Sequence, residues 1–307
     1  MASTQWGLGS SLVFSLMVVA WAGNYLFVRL GELYVPPLWL ATLRAGVGAA
    51  GIGAYLALRP TEVELSPRDR RTALLLGLPN TALFLGLWFV AAPAVAPGEA
   101  AVVIYTFPLW VALFSPLALG SRLARSHWAA VGTGFAGVVL VSQPWTSGGG
   151  RIPATPLVEL LVAAVSWAGA TVAFQRRFTP AKLPQANGYQ LLGGASALLA
   201  ASALFGVVRW PPAAPQLWAS VAWLGLFGTA FAYGVWFFLL RSVHASSLSA
   251  FAFLVPLTAL ALSVALEGEH IDLLQGAGVV CVLVGIYLVG RSPLAHPGTP
   301  PTPTSAS

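Results

Sequence analysis

Ten long apolar runs follow one another along the chain, at about residues 8–28, 36–58, 72–92, 97–119, 126–142, 154–174, 186–208, 217–240, 245–266 and 271–290. Between them lie short stretches rich in charge, proline or glycine, such as Glu62–Arg71, Thr146–Pro153 and Arg209–Pro215. Proline and glycine interrupt helices and charges seek water, so these stretches read as turns. Each run is continuous and near the roughly 20 residues that one helix needs to cross a bilayer. Membrane strands would be shorter and would alternate apolar with polar positions. The pattern predicts an all-α integral membrane protein with ten transmembrane helices.

Composition narrows the class further. Of 307 residues, 57% are hydrophobic and 8% charged, with a mean hydropathy of +0.80. A soluble domain carries about 25% charged residues, so a soluble globule is excluded. A disordered chain needs low hydrophobicity and is excluded as well. The balance of 15 Lys+Arg over 9 Asp+Glu would suggest nucleic acid in a soluble protein. Here the basic residues sit in short loops, where they set orientation. Eleven of them, from Arg59 and Arg68 through Arg125, Arg177 and Lys182 to Arg291, fall on the side of the two termini. Arg29, Arg151 and Arg209 fall on the other, and Arg44 lies within the second run. This bias predicts cytoplasmic termini.

Lys182 is the single lysine among 15 basic residues, the signature of a GC-rich coding sequence. A bacterial inner membrane is the expected location. Ala20-Trp21-Ala22 has the small-x-small look of a cleavage site, but Met1–Ser10 lacks the basic residues of a secretory signal. Residues 292–307, rich in proline, serine and threonine, are expected to form a disordered cytoplasmic tail. A single cysteine, Cys281, excludes an intramolecular disulfide framework and a cysteine-rich metal site.

Comparison of the chain with itself reveals a duplication. At a shift of 148, Leu76-Gly77-Leu78 falls on Leu224-Gly225-Leu226, Thr81-Ala82 on Thr229-Ala230, and Trp88-Phe89 on Trp236-Phe237. In the same register Pro108-Leu109 meets Pro256-Leu257, and Gly137 meets Gly285. At a shift of 146, Trp21-Ala22-Gly23 meets Trp167-Ala168-Gly169. Leucine and alanine matches mean little in this composition, but aligned tryptophans and prolines do not arise cheaply. Two repeats are expected, in 1–148 and 149–291. Each holds five helices, an odd number, so the second enters the membrane upside down relative to the first. Inverted repeats are the architecture of many secondary transporters, with the substrate site near the midplane where the halves meet.

The motifs resemble those of a known family. Trp21-Ala22-Gly23-Asn24, followed by Phe27-Val28-Arg29, is similar to the opening motif of EamA-type permeases of the drug/metabolite transporter superfamily. Arg44 fits their second helix. Gly225–Trp236 resembles their eighth helix, and Ala245–Pro256 leading to Glu269 resembles their ninth. In the first half Ser121 stands at the position corresponding to Glu269. The resemblance covers about residues 8–290. It implies ten helices in two inverted five-helix repeats and export of amino acids or related metabolites, aromatic amino acids included. The expected activity is alternating-access export of a small metabolite, with amino acids first. The alternatives are a multidrug or amine exporter of the same fold, a membrane enzyme, or a scaffold that transports nothing.

Polar groups deep in a membrane are costly and mark function by default. Arg44 sits roughly 12 Å into its helix at 1.5 Å per residue. Two readings stand: it attracts a substrate carboxylate, or it is structural, paired with Glu99 or Glu159 or with helix-end carbonyls. Its repeat counterpart is the uncharged Gln190. Asn24 shares a helical face with Trp21. Asn80 and Thr81 fall mid-helix, with Thr229 repeating Thr81; each either binds substrate or joins helices. Trp6, Trp39, Trp128, Trp145, Trp210 and Trp218 lie near run ends and read as interfacial anchors. Trp21, Trp88, Trp167 and Trp236 are repeat-paired and deeper. The expected substrate site comprises Trp21, Asn24, Arg44 and Asn80, walled by Trp88, Tyr105, Trp167 and Tyr233.

Catalysis finds little support. His127, His244, His270 and His296 are expected in loops or the tail, without metal-ligand spacing. There is no phosphate-binding glycine loop with its lysine, and no nucleophile–base set assembles. No enzyme, metal or cofactor is expected. The expected partners are a small-molecule substrate and the lipid bilayer, with no nucleic acid and no evident protein partner.

Overall fold

The computed structural model describes residues 8–59, 63–95, 97–120, 122–143, 145, 153–267, 271–291 and 294–295. Among the described residues the fold is helical apart from one two-residue antiparallel pairing. Helix α1 spans Leu8–Glu32 and α2 spans Pro37–Leu58. Helix α3 (Pro67–Gly77) runs through a π-helical stretch, Leu78–Leu83, into α4 (Phe84–Ala91) and a short 3-10 turn, Ala92–Ala94. Next come α5 (Pro97–Ile104), α6 (Phe107–Leu119) and α7 (Arg125–Ser142).

The second half repeats the order with α8 (Ala154–Arg177) and α9 (Leu183–Leu204), joined by a 3-10 turn at Pro180–Lys182. Helix α10 (Pro215–Ala222) then passes through a second π stretch, Trp223–Phe231, into α11 (Ala232–Leu239). Helices α12 (Ala245–Phe251), α13 (Leu254–Glu267) and α14 (Leu273–Arg291) complete the bundle. The strand pairing joins β1 (Arg122–Leu123) to β2 (Leu294–Ala295).

Eight helical stretches among the described residues are long and apolar enough to cross a membrane. Prolines open α2, α3 and α10, where their missing N–H and fixed φ cost nothing. Ser66 caps α3 by accepting from Asp69 N at 3.1 Å. That cap moves the helix start to residue 67, five residues ahead of the apolar run. The charges at Arg68–Arg71 end a hydrophobic run but not a hydrogen-bond ladder.

Both repeats break at matched places. The expected single helix over 97–119 is interrupted at Tyr105 and Thr106, and that over 245–266 at Ala252 and Phe253. Each break precedes a proline, Pro108 or Pro256, whose ring removes a donor and crowds the carbonyl four residues back. The backbone switches there to tighter bonds: Thr106 N to Val103 O at 3.2 Å, and Phe253 N to Ala250 O at 3.2 Å. The two π stretches are likewise related by the 148-residue shift.

The halves contact one another through these π stretches, in a repeated pattern. Arg44 on α2 donates from Nε to Thr229 Oγ1 at 2.9 Å. In the matching place Thr81 donates to Gln190 Oε1 on α9 at 2.7 Å. Gly225 faces the Arg44 carbonyl, which a Cβ would meet at 3.2 Å, and Gly77 faces the Gln190 carbonyl more closely still. Close helix approach needs the missing side chain at both positions.

Several expectations are corrected. His127 is not in a loop: it lies in the first turn of α7, fully buried, with neither ring nitrogen hydrogen-bonded. His244 does lie between helices, in the α11–α12 turn, where it caps α12 by accepting at Nδ1 from Ser246 N at 3.3 Å. Trp39, near the start of α2, is packed inside the bundle rather than exposed, donating to the Arg209 carbonyl at 2.9 Å. Trp128, Trp145, Trp210 and Trp218 are exposed, as anchors require. Trp6, Ser121, Arg151, Glu269, His270, His296 and most of the 292–307 tail lie outside the described residues.

Candidate functional site

A cavity of about 50 Å³ lies among α1, α2, α4, α8 and α11 and the α5–α6 break. It is lined by seven of the eight residues expected there: Trp21, Asn24, Arg44 and Trp88, with Tyr105, Trp167 and Tyr233. Asn80 is not among them. It is buried in the first π stretch, and its amide makes no hydrogen bond. Tyr25, Phe84, Ile104 and Phe107 complete the lining. Tyr25 and Phe84 had a legible signal, since Tyr25 lies four residues after Trp21 and Phe84 four before Trp88, one helical turn in each case. Ile104 and Phe107 had none, because they reach the cavity through the break between α5 and α6.

The walls are aromatic rings in edge and tilted contact. Trp167 touches Phe84 at 4.8 Å between centroids, Tyr233 at 5.0 Å and Trp21 at 6.1 Å. Trp236, deep and repeat-paired with Trp88, is not part of the lining. It lies behind it instead, fully buried, at 5.5 Å from Trp21 and 5.8 Å from Trp167. Its repeat counterpart Trp88 faces the cavity.

Arg44 is buried to 1% exposure and pairs with no acid among the described residues. The expected structural partners Glu99 and Glu159 do not reach it. Glu99 sits in the first turn of α5, where a carboxylate faces the favourable end of the helix dipole. Arg44 is held by the second π stretch: Nε donates to Thr229 Oγ1, and Nη2 to the Gly228 carbonyl at 3.1 Å. A π turn displaces carbonyls from the regular ladder, leaving the Gly228 oxygen open to accept. Trp21 Nε1 donates to that same oxygen at 3.2 Å.

Asn24 packs directly on Gly228, where a side chain would collide with it. The amide orientation that satisfies its neighbours directs its nitrogen to the Ala20 carbonyl at 3.2 Å and its oxygen to Arg44 Nη2 at 3.3 Å. Trp88 and Phe89 each place a ring 5.6 Å from the guanidinium carbon. Two buried polar atoms of the lining are left without partners, Arg44 Nη1 and the Tyr233 hydroxyl. Unsatisfied buried groups of this kind call for an explanation.

A larger chamber of about 450 Å³ adjoins the cavity on the side where α1 ends and α5 begins. Tyr25 and Trp88 line both spaces, and their rings meet edge-on at 6.0 Å. At the opposite end of the bundle, ion pairs and hydrogen bonds join the helices. Asp69 accepts ion pairs from Arg177 at 2.9 Å and Lys182 at 2.8 Å, linking α3 to α8 and to the start of α9. Gln175 on α8 binds the α11–α12 turn through the Val243 carbonyl at 2.9 Å and Ala245 N at 2.8 Å. Among the described residues no cluster of histidine, cysteine and acidic side chains is placed to hold a metal.

The chain is similar to transporters of diverse microbes. It is 29% identical over 298 residues to the uncharacterized inner membrane transporter YedA of Escherichia coli K12, covering 93% of this chain and 94% of that protein. It is 23% identical to the uncharacterized transporter YoaV of Bacillus subtilis, over 89% of this chain and 93% of the relative. A protein crystal structure at 21% identity superposes with a TM-score of 0.76, covering 92% of this chain and 98% of the other, which shows the fold. The sequence profile of the EamA-like transporter family matches residues 8–143 and again 156–291. With one profile accounting for both halves, the chain belongs to the EamA-like transporter family.

Proposed function

We propose that this transporter exports amino acids, aromatic or hydrophobic ones first, across a bacterial inner membrane by alternating access. The observation that carries the substrate class is the unpaired Arg44 charge at an aromatic-walled cavity, with Nη1 and the Tyr233 hydroxyl both lacking partners. Arg binds a carboxylate through two nitrogens, and tyrosine adds a third donor. Aromatic rings accept an apolar side chain, and their faces attract an ammonium group. The alternative, an amine exporter, is disfavoured because the lining carries a positive charge and no carboxylate among the described residues.

The architecture that goes with this reading is ten transmembrane helices in two inverted repeats, within 1–148 and 149–291, with both termini cytoplasmic. The matched Arg44–Thr229 and Gln190–Thr81 contacts support two halves of like structure. The eleven-to-three charge bias supports the orientation. On that orientation the chamber beside Glu32 opens outward and the Asp69 ion pairs close the cytoplasmic end. A cavity of about 50 Å³ holds no more than a few waters. Substrate entry therefore requires the rings to part.

The test is uptake into proteoliposomes of purified protein across a panel of amino acids and hydrophobic amines. Saturable transport of amino acids is expected, and saturable transport of amines alone would overturn the reading. Cysteines introduced at Thr61 and Gln185 are expected to label only from the cytoplasm, and one at Gly149 only from outside. Labelling of Gly149 from within would refute the orientation or the helix count.

A further inference from the structure

The larger chamber contains a charge pair that does not pair. Arg29 and Glu32 both line it, one turn apart on α1. They make no ion pair with each other and no hydrogen bond to any described residue. Arg29 is exposed, whereas Glu32 is half-buried with Oε1 sealed from solvent and without a partner. Helix stability does not explain the acid. Glu32 is the last residue of α1, where the dipole disfavours negative charge. Its order after Arg29 is the weaker arrangement for an intrahelical pair. A carboxylate kept there against these costs has work to do in the chamber. In this conformation the chamber, at about 450 Å³, has the size of a small-molecule site, whereas the central cavity is nearly closed.

Resting on the amino-acid reading of the central cavity, we propose that the outer chamber is a second binding station for a zwitterionic amino acid, its ammonium taken by Glu32 and its carboxylate by Arg29. The two side chains form no ion pair in this structure, and one small dipolar ion between them offers each its opposite pole. The apolar wall of Val28, Pro93, Val95 and Ala100 receives the side chain. The Tyr25–Trp88 contact is the partition through which the substrate passes to or from Arg44. The two stations differ in chemistry: the central one reads a carboxylate, and the outer one reads each pole with a separate residue, the ammonium with Glu32 and the carboxylate with Arg29.

Equilibrium binding in lipid nanodiscs separates the stations, with L-phenylalanine, 3-phenylpropionate (no ammonium) and 2-phenylethylamine (no carboxylate) as probes. Arg44→Gln is expected to retain saturable L-phenylalanine binding through the outer chamber. Adding Glu32→Gln is expected to weaken it about tenfold or more, the worth of one charged hydrogen bond, while Glu32→Asp keeps it. Glu32→Gln is expected to leave 3-phenylpropionate binding unchanged. Arg29→Gln, at an exposed position, is expected to weaken L-phenylalanine and spare 2-phenylethylamine. If Arg44→Gln abolishes all binding, or Glu32→Gln and Arg29→Gln change nothing, the outer station is overturned while the central site stands. If the wild-type protein binds no L-phenylalanine and transports no amino acid of the panel, both fall together.

Discussion

The two halves make the same contact with different chemistry. On α2 of the first half, Arg44 bonds Thr229 and brings a charge to the edge of the cavity. On α9 of the second, Gln190 bonds Thr81 and Asn187 and is wholly buried. The same divergence appears at the paired tryptophans: Trp88 lines the cavity, while Trp236 is sealed behind it. Nine of the eleven lining residues come from the first half, and only Trp167 and Tyr233 from the second. Duplication supplied two similar scaffolds with matched π stretches and matched breaks. Divergence then turned one into a wall bearing polar groups and the other into packing against it.

Making the halves alike is the most severe way to break this asymmetry. Gln190→Arg forces a second guanidinium into a wholly buried cluster, with no ion-paired acid beside it among the described residues. An uncompensated buried charge costs about 3–5 kcal/mol, so folded yield in detergent is expected to collapse. Wild-type yield and thermal stability would show that the second half has a polar space of its own.

The tryptophans sharpen the contrast. Trp236→Ala opens a void in a fully buried site and is expected to cost about 3–5 kcal/mol of stability. Trp88→Ala widens a space that already exists, so it is expected to cost less stability and to depress transport per folded molecule. Thermal unfolding measured beside transport distinguishes them, and equal effects on both quantities would erase the distinction.

Arg44→Gln gives the first half the second half's residue. No partner acid is left uncompensated, so yield is expected to stay near wild type. The half-saturation concentration for amino acids is expected to rise about 10–100-fold, the loss of one or two charged hydrogen bonds, with amines unaffected. A large loss of stability with unchanged selectivity would make the arginine a structural clamp on the second π stretch.

The smallest expected effect concerns the seam where the halves close on each other. Asp272, ahead of α14, accepts from Gln275 N at 2.8 Å and from Gln143 Nε2, at the end of α7, at 2.7 Å. The backbone bond from Gln275, then the amide of Gln143, hold its carboxyl below the ordinary aspartate range. The group is more acidic folded than unfolded, so its contribution is present above the unfolded value near 3.9. That contribution fades as pH falls through the lower folded value. A slight drop in thermal midpoint is expected on acidification below about pH 4, and Asp272→Asn is expected to flatten that slope. An unchanged slope would remove Asp272 from the seam.

Much of the site was legible because membrane burial makes polar and aromatic side chains conspicuous. Trp21, Asn24 and Arg44 stand out in helices otherwise built of alanine, leucine and glycine, and repetition singled out Trp88 and Trp167. Asn80 was equally conspicuous, yet it stays inside the helix packing of the π stretch. Glu32 carries no such signal, because it follows an apolar run and reads as the first loop residue. The helix ladder carries it four residues further, to the rim of the chamber.

The solvent of this protein, its helical class, its duplication and the chemical inventory of its candidate site are written in the order of its residues. These follow from local hydropathy, from the length of each run and from residue identities that recur at one shift. Only the tertiary structure decided which member of each repeated pair meets the cavity, why Arg44 needs no acid, and where the two chambers adjoin. Those outcomes depend on how each helix is rotated against partners more than 100 residues away. Such rotation is set by side-chain packing, π turns and proline breaks, which leave no period in the local pattern.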